Sequence, residues 1–245
     1  MTEQAPNSAP AYRMLADRIA ARILYGEIRP GDPLPTETVL SETYGVHRST
    51  VREGIRLLEE TGMLRRKSQK RLEVAVPDGG HLAERTAQAL VMRGITVRAL
   101  YEANLAFDPV LARIAAASAS SAQITRLHRN LRDTRAAAGD RVRLSALDGE
   151  FHDLICAATN NYIFQTMRQP LHDLFLPMVS QLVATIDTSE RMLAAHEQIV
   201  LAIEKRDGET AALWAGKHIE DFKRGYQKAA LDFDAPVPYE KGRAE

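Results

Sequence analysis

The sequence predicts a mainly α protein: a small helical domain closed by a β-hairpin, then an antiparallel bundle of six or seven helices. Three observations predict it. Apolar residues recur at helical spacing through most of the 245-residue chain. A run of breakers, Pro77, Asp78, Gly79 and Gly80, separates two regions of different character. Between Met63 and Val76 the helical pattern gives way to apolar ends around a basic middle, as in a short two-stranded hairpin. With 45% hydrophobic and 26% charged residues, the chain can offset the entropy of ordering, which excludes a largely disordered protein.

The elements follow in order. Residues 1–10 are polar and proline-containing, and read as a loose tail. A first helix starts near Ala11, with Leu15, Ile19, Ile23 and Leu24 on its apolar face, and Gly26 with Pro30–Gly31 ends it. Thr36 is placed to cap a second, short helix anchored by Val39 and Leu40, and Gly45 breaks it. A third helix begins around Arg48, carries Val51, Ile55 and Leu58, and stops at Gly62. The domain thus spans 11–76, with a linker over 77–85. The second domain spans 86–230, with helix breaks near Gly94–Thr96, Ser118–Ser121, Gly139–Asp140, Asn160–Asn161, Asp187–Ser189 and Asp207–Gly208. Connections this short make neighbouring helices antiparallel. Pro109 and Pro170 fall within or at the start of helical patterns. Residues 231–245 read as a second loose tail.

Net charge is zero, with 32 basic and 32 acidic residues, which excludes a uniformly basic nucleic-acid coat. The distribution is uneven: residues 11–76 hold 12 basic against 9 acidic, leaving 20 against 23 elsewhere. The single cysteine, Cys156, excludes an internal disulfide and a cysteine-based zinc cluster, and its apolar surroundings mark it as a small buried hydrophobe. No apolar run approaches the ~20 residues that span a bilayer, and Met1–Pro10 lacks the features of a signal peptide. The expected location is cytoplasmic, with no membrane partner.

Two short helices around Gly45, the second opening on small and basic residues, describe a helix-turn-helix. Val46, Val51, Ile55 and Leu58 can lock the second helix onto the first. Arg48 and Arg52 stand four apart on one face, where a guanidinium fork can read guanine. His47, Ser49 and Thr50 can meet phosphate at the helix N-terminus. Two arginines alone would more often be a solvated face. The segment Pro30 to Leu64, however, closely resembles the winged helix-turn-helix signature of the GntR family of bacterial transcription regulators. The matching positions include Pro30–Gly31, Leu34–Pro35, Glu37, Leu40, Gly45–Val46, Arg48, Thr50–Val51–Arg52–Glu53, Leu57–Leu58 and Gly62. The resemblance implies that Arg48, Ser49, Thr50 and Arg52 contact operator DNA. Thr38 stands where many members carry arginine, which reduces that contact to a hydroxyl–phosphate bond. The wing offers Lys67, Lys70 and Arg71 in place of the family's usual glycines. Five of the seven residues from Arg65 to Arg71 are basic, which suits phosphate or a narrow minor groove.

In the second domain Asp148 and His152, four apart, project from one helix face among Leu144, Leu147, Phe151 and Ile155. His196 and His218 sit mid-helix among apolar neighbours. Three imidazoles and a carboxylate converging from three helices can bind a divalent transition metal and leave positions open. Spacing alone does not bring distant helices together, and a lone histidine on an apolar face is usually a satisfied core residue. The order D-x-x-x-H, then H, then H is similar to the FadR-like branch of the same family. Its effector domain is known as FCD. That resemblance implies that Asp148, His152, His196 and His218 ligate metal: zinc first, with nickel, manganese or iron as alternatives. The branch often holds a carboxylate effector with an arginine in an early helix. Here Asn104 takes that place and Asp108 takes the neighbouring acid's. Either the effector is less acidic or Arg168 supplies the charge, and Asp108 is a fifth ligand or an acceptor behind the ligands.

The expected function is therefore a ligand-responsive regulator, a homodimeric repressor binding double-stranded operator DNA and a small-molecule effector, an organic acid. The alternatives are a direct metal-sensing regulator and a non-haem metalloenzyme. The enzyme reading has no general acid or base beyond the expected ligands and no use for the first domain.

Overall fold

The computed structural model describes residues 9–68, 71–77 and 79–238. The chain divides into two compact units, Met1–Asp78 and Gly79–Glu245.

In the first unit, α1 (Ala11–Leu24), α2 (Glu37–Tyr44) and α3 (Arg48–Glu60) precede the strands β1 (Leu64–Ser68) and β2 (Arg71–Val74). Thr36 caps α2 by accepting from the Val39 amide, and Gly45 turns the chain at φ 64°. The core joins Leu15 and Ile19 of α1, Leu40 of α2, and Val51, Ile55 and Leu58 of α3 to Leu64 and Val74. Gly54 permits the close crossing of α1 and α3: a Cβ there would lie 3.1 Å from the Tyr12 carbonyl oxygen. Leu24, expected on the buried face, is exposed, while its neighbour Ile23 packs against the core. Val39 is also exposed, so α2 is anchored by the buried Leu40 with the half-buried Tyr44.

The hairpin is antiparallel, pairing Leu64 with Val74 and Arg66 with Leu72, with an irregularity before Ser68. The proline-rich stretch ahead of α2 adds a short edge. The Gly31 amide donates to the Val74 carbonyl, the Val74 amide to Asp32, and the Leu34 amide to Leu72. Together these elements make a winged helix-turn-helix.

The second unit contains seven helices among the described residues. They are α4 (Gly79–Met92), α5 (Val97–Ser118), α6 (Ser121–Ala136), α7 (Arg141–Ala158), α8 (Tyr162–Thr185), α9 (Ser189–Glu204) and α10 (Gly208–Lys228). Side-chain caps begin most of them: Thr96, Asp140, Asn161 and Asp207, and at Ser120 a capping box with Gln123. The breaks fall at the six places where the sequence puts them. Pro109 and Pro170 lie inside α5 and α8, and so does Pro177.

One core cluster packs Leu100, Leu174, Met178, Ile219, Phe222 and Tyr226. Another packs Leu111, Leu127, Phe151, Ile199 and Ile203. Among the described residues no helix is long and apolar enough to cross a membrane.

Two boundaries differ from expectation. The linker over 77–85 is cut short because α4 starts at Gly79; glycines are tolerated in a first turn, and Ala83 and Ala87 bury the following face. Residues 231–238, expected as tail, pack onto the bundle, while 1–8 and 239–245 lie outside the described residues. The carbonyls of Ala235 and Phe233 accept from the Val97 and Arg98 amides, which have no partner within the first turn of α5. Val237 is buried and Asp234 pairs with Arg98. Proline content alone does not distinguish such a strap from a loose end.

Candidate functional site

The second unit holds the densest polar cluster. Asp148 and His152 are one turn apart on α7, His196 lies on α9 and His218 on α10. The His218 Nε2 is 3.2 Å from the Nε2 of both His152 and His196, and 3.4 Å from Asp148 Oδ1. His196 Nε2 is also 3.4 Å from that oxygen. One atom from each of the four residues lies within 4.8 Å of every other. Four of these spacings are close to the separation of neighbouring ligand atoms, about 3.3 Å, around an ion with bonds of about 2.0–2.1 Å. The others stay within 4.8 Å, so the four groups can close on a small divalent ion.

Hydrogen bonding accounts for the cluster less well. His152 Nδ1 lies 2.9 Å from Asp108 Oδ2, a buried oxygen with no other partner, so a ring proton on Nδ1 would serve that oxygen and leave a lone pair on Nε2. At most two ring protons remain for the four short edges, whereas a cation at the centre would meet all four donors. The donor set fits a transition metal such as zinc.

Packing fixes these rings. His196 is fully buried and stacks on Phe151, ring centroids 3.6 Å apart and 11° from parallel. Burial, and then the charge on His218, push His196 down to about 3, so it stays neutral, the form that ligates. Burial alone would raise the Asp148 carboxyl. The hydrogen bonds from His196 and His218 prevail and hold it well below the usual carboxylate range, hence ionised.

Behind His152 lies a buried layer. Arg168 Nη1, from α8, donates to Asn104 Oδ1 and to Asp108 Oδ1, both at 3.2 Å, and Asn104 Nδ2 donates to the Leu100 carbonyl. Burial opposes the Asp108 charge, but Arg168 and His152 outweigh it and keep the carboxyl below its ordinary range. Asp108 thus stands behind the cluster as an acceptor, outside the group of four.

A cavity of about 250 Å³ opens against Asp148 and His218. Phe175, Leu182, Met192 and Phe222 line it with apolar surface, and Arg191, Arg224 and Lys228 stand on its wall. Asn104, Asp108 and Arg168, expected around an effector, do not line this cavity. Asn104 and Asp108 of α5 both accept from Arg168 Nη1 of α8. The sequence reading missed Arg191 and Arg224, which pair with Asp221 and look in sequence like solvated surface charges.

In the first unit, Arg48, Ser49 and Arg52 are exposed on α3 and Thr50 is half-buried. Arg48 Nη2 donates to Thr38 Oγ1 at 2.8 Å, and Arg52 lies 3.8 Å from Glu37, so α2 braces both arginines. His47 Nδ1 accepts from the Ser49 amide and caps α3. In the wing, Lys67 and Arg65 both pair with Glu73, and Arg66 pairs with Glu59, while Arg71 is exposed. Lys70 lies outside the described residues.

Residues 11–74 match the family described as bacterial regulatory proteins, gntR family, and residues 99–221 match the FCD domain. The chain belongs to the GntR family. This GntR-family regulator is 24% identical over 209 residues to the HTH-type transcriptional regulator LutR of Bacillus subtilis, covering 82% of this chain and 95% of that one. It is 26% identical over 238 residues to the Glc operon transcriptional activator of Escherichia coli, covering 91% of each. The HTH-type transcriptional repressor NanR of Cronobacter sakazakii is 26% identical over 204 residues, 81% of this chain and 78% of that one. A solved structure of a Streptococcus agalactiae GntR protein superposes with a TM-score of 0.62 at 26% identity, covering 87% of this chain and 99% of that chain. The family and these relatives are transcriptional regulators rather than enzymes, and the metalloenzyme alternative falls with that.

Proposed function

We propose that this GntR-family regulator is a homodimeric repressor whose FCD domain binds an organic acid beside a divalent metal. The observation that carries this reading is the convergence of three imidazole nitrogens and one carboxylate oxygen, two of the four residues, Asp148 and His218, lining a cavity. Asp148, His152, His196 and His218 would hold the ion, zinc first, and a bound ion would supply positive charge at the cavity wall. Apolar side chains would exclude water around the ligand's carbon skeleton. Arg191, Arg224 and Lys228 share the cavity wall with Asp187 and Asp221, so a bound ion would tip the balance toward an anionic guest whose carboxylate the arginines can then meet.

For the DNA-binding unit, Arg48 and Arg52 would read bases. Thr38, Ser49 and Thr50 would meet phosphate, together with wing residues Lys67, Lys70 and Arg71, while His47 holds the start of α3 in shape. Two such units would sit on the half-sites of a pseudo-palindrome. Effector occupancy would change operator affinity through a coupling free energy between the two sites. Relatives carry both signs by name, a repressor and an activator, and repression relieved by ligand is the sign proposed here.

The test is binding of purified protein to the DNA upstream of its own gene, screened against carboxylic and sugar acids, metal-loaded and chelated. The reading expects one acid to weaken operator binding in the metal-loaded protein alone. A response to metal with no acid present would make the ion itself the signal. Indifference to every acid would overturn the effector assignment.

A further inference from the structure

A second cavity, of about 360 Å³, lies on the other side of α7, where that helix packs between α6 and α8. Its lining is mostly charged and amide side chains, arranged by helix. The middle helix, α7, contributes two carboxylates, Glu150 and Asp153, three residues apart and so on one face. The flanking helices contribute the cations, Arg126 from α6 and Arg168 from α8, with Gln165 and Gln169 beside the latter.

Arg168 is the telling member. Its side chain is 4% exposed, and Nη1 is committed to Asn104 and Asp108. Its Nε is buried with no hydrogen-bond partner, and the Asp153 carboxylate stands off at 3.8 Å. A buried guanidinium N–H left unmatched is costly, and a native protein retains one where something else completes it. Asp153 leans instead to His172 at 3.2 Å, and Glu150 accepts from the neutral Asn130 amide.

We propose that this cavity is a binding site for a small zwitterion of the free amino-acid type, distinct from the cavity beside the metal cluster. The charge pattern selects that class. Two carboxylates and two guanidiniums face the cavity, so a simple anion would be repelled by α7 and a simple cation by α6 and α8. A ligand with separated charges satisfies both: its carboxylate meets Arg126 and Arg168, and its ammonium meets Glu150 and Asp153. The same guanidinium holds Asp108, and Asp108 holds His152, so one buried chain of polar contacts runs from this cavity to the cluster.

The test is calorimetric titration of the full chain with the standard amino acids, using succinate and butylamine as analogues carrying one kind of charge. Arg126 and Glu150 are exposed, so Arg126→Gln and Glu150→Gln leave the fold intact. The proposal expects an amino acid to bind at millimolar concentration or tighter, and each variant to weaken it about tenfold, the loss of one charge-assisted bond. Succinate and butylamine should bind more weakly by a similar factor. Two results overturn it: no standard amino acid binds, or binding ignores both variants and disappears in His218→Ala, which would place the ligand beside the metal cluster. Titrated in the presence of chelator, wild type and the two Gln variants report on this cavity whatever the metal content, so this site and the metal-dependent reading fail separately.

Discussion

Asp108 holds His152 from behind: its Oδ2 lies 2.9 Å from the ring's Nδ1 while Oδ1 takes a hydrogen bond from Arg168 at 3.2 Å. A carboxylate in that position selects the tautomer that leaves Nε2 free to ligate and raises its basicity. Asp108→Asn should therefore weaken zinc binding by about 10–100-fold without removing a ligand. Competition against a chromophoric chelator measures it. Unchanged affinity would restrict Asp108 to pairing with Arg168.

Arg48 and Arg52 carry the second prediction. Replacing either with Ala should weaken specific operator binding by about 1–3 kcal/mol and relax the preference at particular base positions. Fluorescence anisotropy on a set of single-base operator variants reads both effects. Because Arg48 donates to Thr38 Oγ1, Thr38→Val should give a smaller loss at the same position, by loosening the guanidinium. Equal weakening on every duplex would make both arginines phosphate contacts.

The wing separates two lysine or arginine positions that look alike in sequence. Lys67 is drawn back onto Glu73, whereas Arg71 is exposed at the start of β2. Arg71→Gln should reduce the slope of log affinity against log salt by about one counterion, and Lys67→Gln by less. Identical slopes for the two variants would mean that Glu73 releases Lys67 on DNA.

Much of this protein was legible because its signals are local. Asp148 and His152 share a face by spacing alone, and Gly45, Thr36 and Asn161 mark helix ends through their own conformational chemistry. The meeting of His196 and His218 was not legible from spacing, since it depends on how α9 and α10 pack against α7. Resemblance to a family supplied that. Arg168 was read as a hand for an effector, and spacing gave no sign that Asp108, sixty residues earlier, takes its Nη1. The Gly31–Leu34 edge along β2 was hidden because prolines read as loop, although one proline-free amide in two suffices for an edge pairing. Arg191 and Arg224 resemble ordinary helix-surface charges until the cavity beside them is seen.

Cys156 gives a pH prediction. Its thiol is buried and pushed up to about 11, first by loss of solvent and only then eased by Arg168. The neutral form is favoured, so the thiolate fraction stays small until the pH nears that value. Native protein at pH 8 should resist alkylation by iodoacetamide, with the rate climbing toward pH 11, while unfolded protein should react readily at pH 8. Mass spectrometry counts the adduct. Rapid labelling of folded protein at pH 8 would contradict the burial.

The cluster of Asp148, His152, His196 and His218 makes the final prediction. An ion that binds the folded chain and not the unfolded one must raise stability, by about 2.7 kcal/mol when free metal is a hundredfold above its dissociation constant. The four donors come from α7, α9 and α10, so the ion would tie three helices together from inside. Chelation should lower the melting temperature of the wild type. His196→Ala complicates the comparison, because it also removes the ring stacked on Phe151 and leaves a cavity in a dry site. His218→Gln is the cleaner variant: His218 is the least buried of the four, and glutamine keeps a polar side chain of similar length. That variant should melt close to chelated wild type and show no further change with chelator or with added zinc. Elemental analysis of protein purified without chelator should find about one ion per chain in the wild type and far less in the variant. Protein that carries no metal, and whose melting ignores zinc, nickel and manganese, would return the four residues to a hydrogen-bonded core beside a metal-free cavity.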